Sequence, residues 1–100
     1  MAEIKWSKEA IGWLNEIHDF IGEDNPKAAV EIIENIISRV LVLRRFPQTG
    51  YRYHRFPELE IRIIIYGHYR IVYWLKANGE IVVLGVFHGA LDIDRHLKFE

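Results

Sequence analysis

Three residues of this 100-residue chain combine chemical capacity with a defined place: Arg62, Arg70 and His88. His88 closes an apolar run, Ile81 to Phe87, inside the string VFHGALD. An imidazole titrates near neutrality, so it can take or give a proton. Arg62 interrupts the apolar string EIRIIIY, and Arg70 lies in YRIVY. A guanidinium is a planar fork of donors suited to phosphate and carboxylate. Cleavage of RNA through its own 2′-hydroxyl needs a base, an acid and cations for the crowded phosphate, and these three residues could supply them. Each also has a structural reading. A histidine at a strand end can simply hydrogen-bond at the sheet edge. A strand arginine can lie on the wetted face of a half-covered sheet.

The charges are segregated. Between Met1 and Glu34 acids outnumber lysines by five, whereas from Ser38 to Arg70 seven arginines meet only Glu58 and Glu60. Arg44, Arg45, Arg52 and Arg55 belong to that basic centre, and Tyr51, Tyr53 and His54 interleave with the last two. This composition suits an anionic partner. It equally suits a solvated basic face.

Other chemistries are poorly supported. The five histidines form no H-E-x-x-H pattern. Asp92, Asp94 and His96 alternate in the tail, but they read as a solvated segment rather than a metal site. No Gly-rich phosphate loop follows a strand, and Ser7 and Ser38 read as a helix cap and a helix position. The chain contains no cysteine, hence no disulfide framework, thiolate ligand or thiol nucleophile. No cofactor and no metal are expected. No run is long enough to span a bilayer, and Met1 to Lys5 do not resemble a signal peptide, so a cytoplasmic location is expected. Half of the residues are hydrophobic, enough for one core, and residues 1–100 read as one domain.

These groups need elements to position them. Glu3 to Trp6 reads as a short strand. Ser7 then caps a helix whose apolar stripe is Ile11, Leu14, Ile17 and Ile21, widened by Ala10, Trp13 and Phe20, ending near Gly22. His18 falls in line with that stripe and reads as a core-edge histidine bonded to the backbone. Asn25-Pro26 caps and opens a second helix. Its buried face is Ala29, Ile33, Ile36, Val40 and Leu43, broadened by Ile32 and Ile37, and it runs to Arg44-Arg45. Pro47 to Leu59 reads as irregular. Three strands follow, Glu60 to Tyr66, His68 to Leu75 and Ile81 to Phe87, broken at Gly67 and at Asn78-Gly79. A two-residue turn at Asn78-Gly79 sets Ala77 against Glu80, Tyr73 against Leu84, Arg70 against Phe87 and Tyr69 against His88. A longer loop would shift that register. Ala90 to Leu97 reads as a short helical tail. The class is α+β: an N-terminal strand, an antiparallel helix hairpin, then a three-stranded antiparallel meander forming one sheet.

The ordered strings IKWSKEAIGWLNEIHDFI, NPKAAVEIIENI, LRRFPQTG, IRIIIYGHYRIVYWL and IVVLGVFHGALD carry a resemblance. From Ile4 to Leu97 the chain resembles the RelE/ParE superfamily of toxins from type II toxin–antitoxin modules. The resemblance implies a growth-inhibiting toxin of the kind found in plasmid stabilisation, held inactive by a cognate antitoxin that wraps it with a helix and an extended segment. Operator DNA would be met only indirectly, through the antitoxin. The RelE-like branch cuts mRNA on the ribosome; the ParE-like branch blocks DNA gyrase and is not known as a nuclease.

Within the resemblance, Arg62 matches the strand arginine that the ribonuclease branch uses at the phosphate. Arg70 lies in a string both branches show. His88 matches a histidine of some ribonuclease members, which follow it with tyrosine where this chain has Gly89. No lysine occurs between Lys27 and Lys76, whereas the ribonuclease branch tends to carry several around its site. NPKAAV, FPQTG and FHGALD look more like the ParE side, and that side is favoured. Three functions remain in view: a gyrase inhibitor, a ribosome-dependent endoribonuclease using Arg62, Arg70 and His88, and an inactive toxin-fold protein that binds an antitoxin.

Overall fold

A computed structural model describes residues 2–99. Strand β1 (Ile4–Trp6) leads into helix α1 (Lys8–Gly22). Ser7 is extended and its side chain accepts from the Ala10 N–H, as a serine cap does. Helix α2 (Pro26–Leu41) opens on Asn25, whose side chain accepts from Ala28 N–H, with Pro26 in the first turn. A 3-10 turn, Val42–Arg44, tightens its end. Then come β2 (Tyr51–Arg52), β3 (Ile61–Tyr66), β4 (Tyr69–Leu75), β5 (Ile81–His88) and a last 3-10 turn, Ile93–Arg95.

The five strands form one sheet in the order β1-β5-β4-β3-β2. Strand β1 runs parallel to β5 and the other neighbours are antiparallel. The meander agrees with the expectation. The edge strand β2 lies within the stretch read as irregular, and the helical tail reduces to the single turn Ile93–Arg95. Two residues give too little alternation to register as a strand.

Each face of the sheet has its own core. Ala10, Ile36, Val40 and Leu43 from the helical layer pack with Ile64, Ile71, Tyr73, Val83 and Val86. On the opposite face Ile61, Ile63, Val72, Leu84, Phe87 and Ile93 are covered by the 53–59 segment and the tail, through Tyr53, Phe56, Leu91 and Leu97. Trp13 belongs to both layers. This is possible because β1 pairs only with Ile81 to Val83, leaving the rest of the β5 edge open. Helix α1 runs along that edge, and Trp13 meets the Phe87 ring edge-on, at 4.9 Å between centroids.

The β4–β5 register departs from the expected one near the turn. Lys76, not Ala77, stands against Glu80, with Lys76 N–H bonded to the Glu80 carbonyl at 2.9 Å. The loop is therefore three residues long, Ala77 to Gly79, with Gly79 at φ +89°, where a side chain would be strained. Tyr73 pairs with Val83 rather than Leu84. A bulge then absorbs Leu84, and from Val72↔Gly85 onward the pairing returns to the expected register. Arg70 faces Phe87 and Tyr69 faces His88.

Candidate functional site

Arg62 lies beside Tyr73 on the helix-facing side of the sheet. Its Nε donates to Glu60 Oε2 at 2.8 Å, and its Nη1 donates to the carbonyls of Gln48 at 3.2 Å and Gly50 at 2.6 Å. The side chain is only 15% exposed. Tyr73 supports the same loop. Its hydroxyl donates to the Pro47 carbonyl at 2.6 Å and accepts from Gly50 N–H at 2.9 Å. Burial raises the Tyr73 pKa, so the hydroxyl stays a donor. Gly50 has no room for a side chain: an added Cβ would lie 2.8 Å from the Ile63 carbonyl oxygen. The FPQTG string is thus a loop held from beneath by an arginine and a tyrosine.

Arg70 does the equivalent work on the opposite face. Its Nη2 donates to the carbonyls of Gly89 at 3.2 Å and Leu91 at 2.6 Å, fixing the chain as it leaves β5. A second tie holds the tail. The Tyr53 hydroxyl donates to Asp94, and Arg55 pairs with the same carboxylate at 2.9 Å. Burial, and then the Asp94 carboxylate, push the Tyr53 pKa up to about 12. His96 packs edge-on against Trp13 at 5.2 Å. Asp94 and His96, two of the alternating polar groups of the tail, are thereby spent on separate contacts.

His88 is exposed on the helix-facing side, paired with Tyr69 and stacked near His68 at 6.3 Å. The Ala90 N–H approaches its Nδ1 at 3.4 Å. Register gives its separation from Arg62: four residues along the strands, about 13 Å, and two strand spacings, about 10 Å. Arg70 lies near His88 in the sheet but projects from the other face. The three residues are therefore not brought within hydrogen-bond reach of one another.

The remaining basic residues are also dispersed. Arg44 lines a hollow with Ile4 and Trp6 beside β1, whereas Arg52 lies on β2 at the other edge of the sheet. Arg52 stands directly opposite Arg62, and its buried Nε has no hydrogen-bond partner. Arg45 is exposed and Arg55 is taken by Asp94. His18 differs from its expected place: it is exposed, and its Nδ1 meets the Asp19 carboxylate at 3.2 Å.

A largely apolar concavity lies between the second half of α1 and the end of the β4–β5 pair. It measures about 620 Å³ and is lined by Trp13, Ile17, Phe20, Tyr69, Val86 and Leu91, with Glu16 and His88 at its rim. Phe20 was expected in the core stripe of α1, yet it is 77% exposed at the groove's mouth. Ile11, expected at the head of that stripe, is also half exposed. The sequence signal was an apolar stripe wider than one sheet face can bury. The bulge at Leu84 determines what enters this groove. It reverses the alternation along β5, so Val86 and His88 face the helical side while Phe87 faces away.

This is a small α+β scaffold whose strand arginines serve the framework and which leaves an apolar groove open beside α1. The family model for the ParE toxin of the parDE type II toxin–antitoxin system matches residues 4–93, and the chain belongs to that family. Among solved structures, one titled as a chromosomal ParDE TA system from P. aeruginosa superposes with a TM-score of 0.72. It is 20% identical, over 88% of this chain and 96% of that one. None of the curated proteins matches the chain. No helix among the described residues is long and apolar enough to cross a membrane.

Proposed function

We propose that this toxin acts by docking onto DNA gyrase and blocking it, with no bond made or broken by its own residues. A cognate antitoxin neutralises it by laying the apolar face of a helix into the groove along α1. The observation that carries the non-catalytic reading is the use of the arginines. Arg62 and Arg70 donate to main-chain carbonyls of two different segments, on opposite faces, and His88 stands apart from Arg62. Membership of a toxin–antitoxin family supports an antitoxin as the occupant of the groove. Its shape and lining suit an amphipathic helix. Arg52, which enters no ion pair among the described residues, places a cation at the β2 edge for an acidic stretch of the same partner.

Gyrase supercoiling with purified toxin, set beside mapping of RNA 5′ ends after induction, tests this reading. The expected result is loss of supercoiling for the parent and for His88→Ala alike, with no new RNA ends. Defined mRNA cleavage that disappears in His88→Ala would replace this reading with the ribonuclease one.

A further inference from the structure

A second apolar surface lies outside the groove. On α2, Val30, Ile37 and Leu41 follow at seven- and four-residue steps and are 48%, 38% and 50% exposed. They form a shoulder beside the buried Ile36 and Val40. Val42 and Phe46 continue it past the helix end, where Leu41, Val42, Arg44, Arg45 and Phe46 border a hollow of about 250 Å³.

The charges along this shoulder are polarised. As far as its middle, α2 carries Glu31 and Glu34 against Lys27; from Ile37 to Phe46 the chain carries Arg39, Arg44 and Arg45 with no acid. Among the described residues none of these enters an ion pair. An acidic segment of another protein would meet repulsion along the acidic part. A helix that is acidic and then basic is complementary to its own reverse.

We propose that this shoulder is the seat of a second copy of the chain, packed antiparallel about a two-fold axis. A two-fold interface is self-complementary, so each contact occurs twice. Setting Ile37 against the partner's Leu41 brings Glu34 level with the partner's Arg44, and directs Val30 toward the hollow bordered by the partner's Phe46. The contact is small and its apolar residues are only half exposed, which places it among weak, concentration-dependent associations. This dimer is a property of the toxin alone and does not depend on its target.

Sedimentation of the full chain over a concentration series tests it. The parent shifts from monomer toward dimer as concentration rises. Glu34→Arg alone and Arg44→Glu alone each weaken association at least tenfold, and the double variant Glu34→Arg/Arg44→Glu restores it, because the swapped charges again face each other. Both side chains are exposed, and circular dichroism checks that the variants fold. A chain that stays monomeric throughout, a dimer indifferent to the single reversals, or a double variant that fails to recover would overturn the proposal. A monomer whose shoulder becomes protected only when antitoxin is added would assign the surface to the antitoxin instead.

Discussion

Tyr69 and His88 face each other across β4 and β5 because two one-residue offsets cancel. The three-residue loop at Ala77 to Gly79 shifts the pairing one way, and the bulge at Leu84 shifts it back. The bulge falls where β1 ends and α1 begins. Ser7 N–H bonds the Val83 carbonyl at 3.0 Å, and the Ser7 hydroxyl approaches that of Leu84 at 3.4 Å. The irregularity thus frees carbonyls for the segment that carries the chain from strand to helix.

Gly85 follows the bulge, and the Phe87 ring folds over it. A Cβ there would lie 2.3 Å from the ring. Gly85→Ala forces that ring out of the far core and is expected to cost about 1–3 kcal/mol, as overpacking does. Urea unfolding gives the value. A loss below ~0.5 kcal/mol would mean that the ring has space to swing aside.

Tyr73→Phe removes one hydroxyl and strips two loop groups, the Pro47 carbonyl and the Gly50 N–H, of their partner. An unsatisfied buried group costs about 1–3 kcal/mol, and a comparable drop in unfolding free energy is expected. Faster amide exchange at Gly50 would locate the damage in the loop rather than in the core.

Glu80 ties the β4–β5 turn to β1. Lys5 approaches its carboxylate at 3.0 Å and Lys76 at 3.3 Å, and hydrogen bonds from Lys5 first and Lys76 second hold its pKa below the ordinary 4.5. A depressed folded-state pKa contributes stability that is present above the unfolded-state value and lost as pH falls through the folded one. Glu80→Gln is therefore expected to destabilise at neutral pH. Denaturant midpoints followed into acid should converge with those of the parent, and a gap that persisted there would refute the assignment.

Phe20→Asp places a charge in the mouth of the groove. The side chain is mostly solvent-exposed already, so the fold should hold. Antitoxin affinity is expected to fall at least about tenfold, since aromatic anchors dominate such interfaces. Calorimetric titration of purified toxin with its antitoxin measures it, and unchanged affinity would move the helix site elsewhere.

The helices were legible because their caps are local. Ser7 and the Asn25-Pro26 pair sit within a turn of what they cap. The meander was legible from β-branched and aromatic runs broken by glycine. The register near the turn was not, since Asn-Gly is compatible with both two- and three-residue loops and only packing decides. The roles of Arg62 and Arg70 were hidden for another reason. Apart from Glu60, their acceptors are backbone oxygens, which look alike in any sequence. Phe20 satisfied the helical period and read as core; its exposure follows from how far the sheet extends beneath α1.

Anchoring through main-chain oxygens has an evolutionary consequence. A carbonyl is present whatever residue bears it, so the exposed Gln48 can be exchanged without loosening the grip of Arg62. Lineages of such chains can rewrite the outward side chains of such segments, keeping pace with a drifting binder while the architecture beneath stays constant.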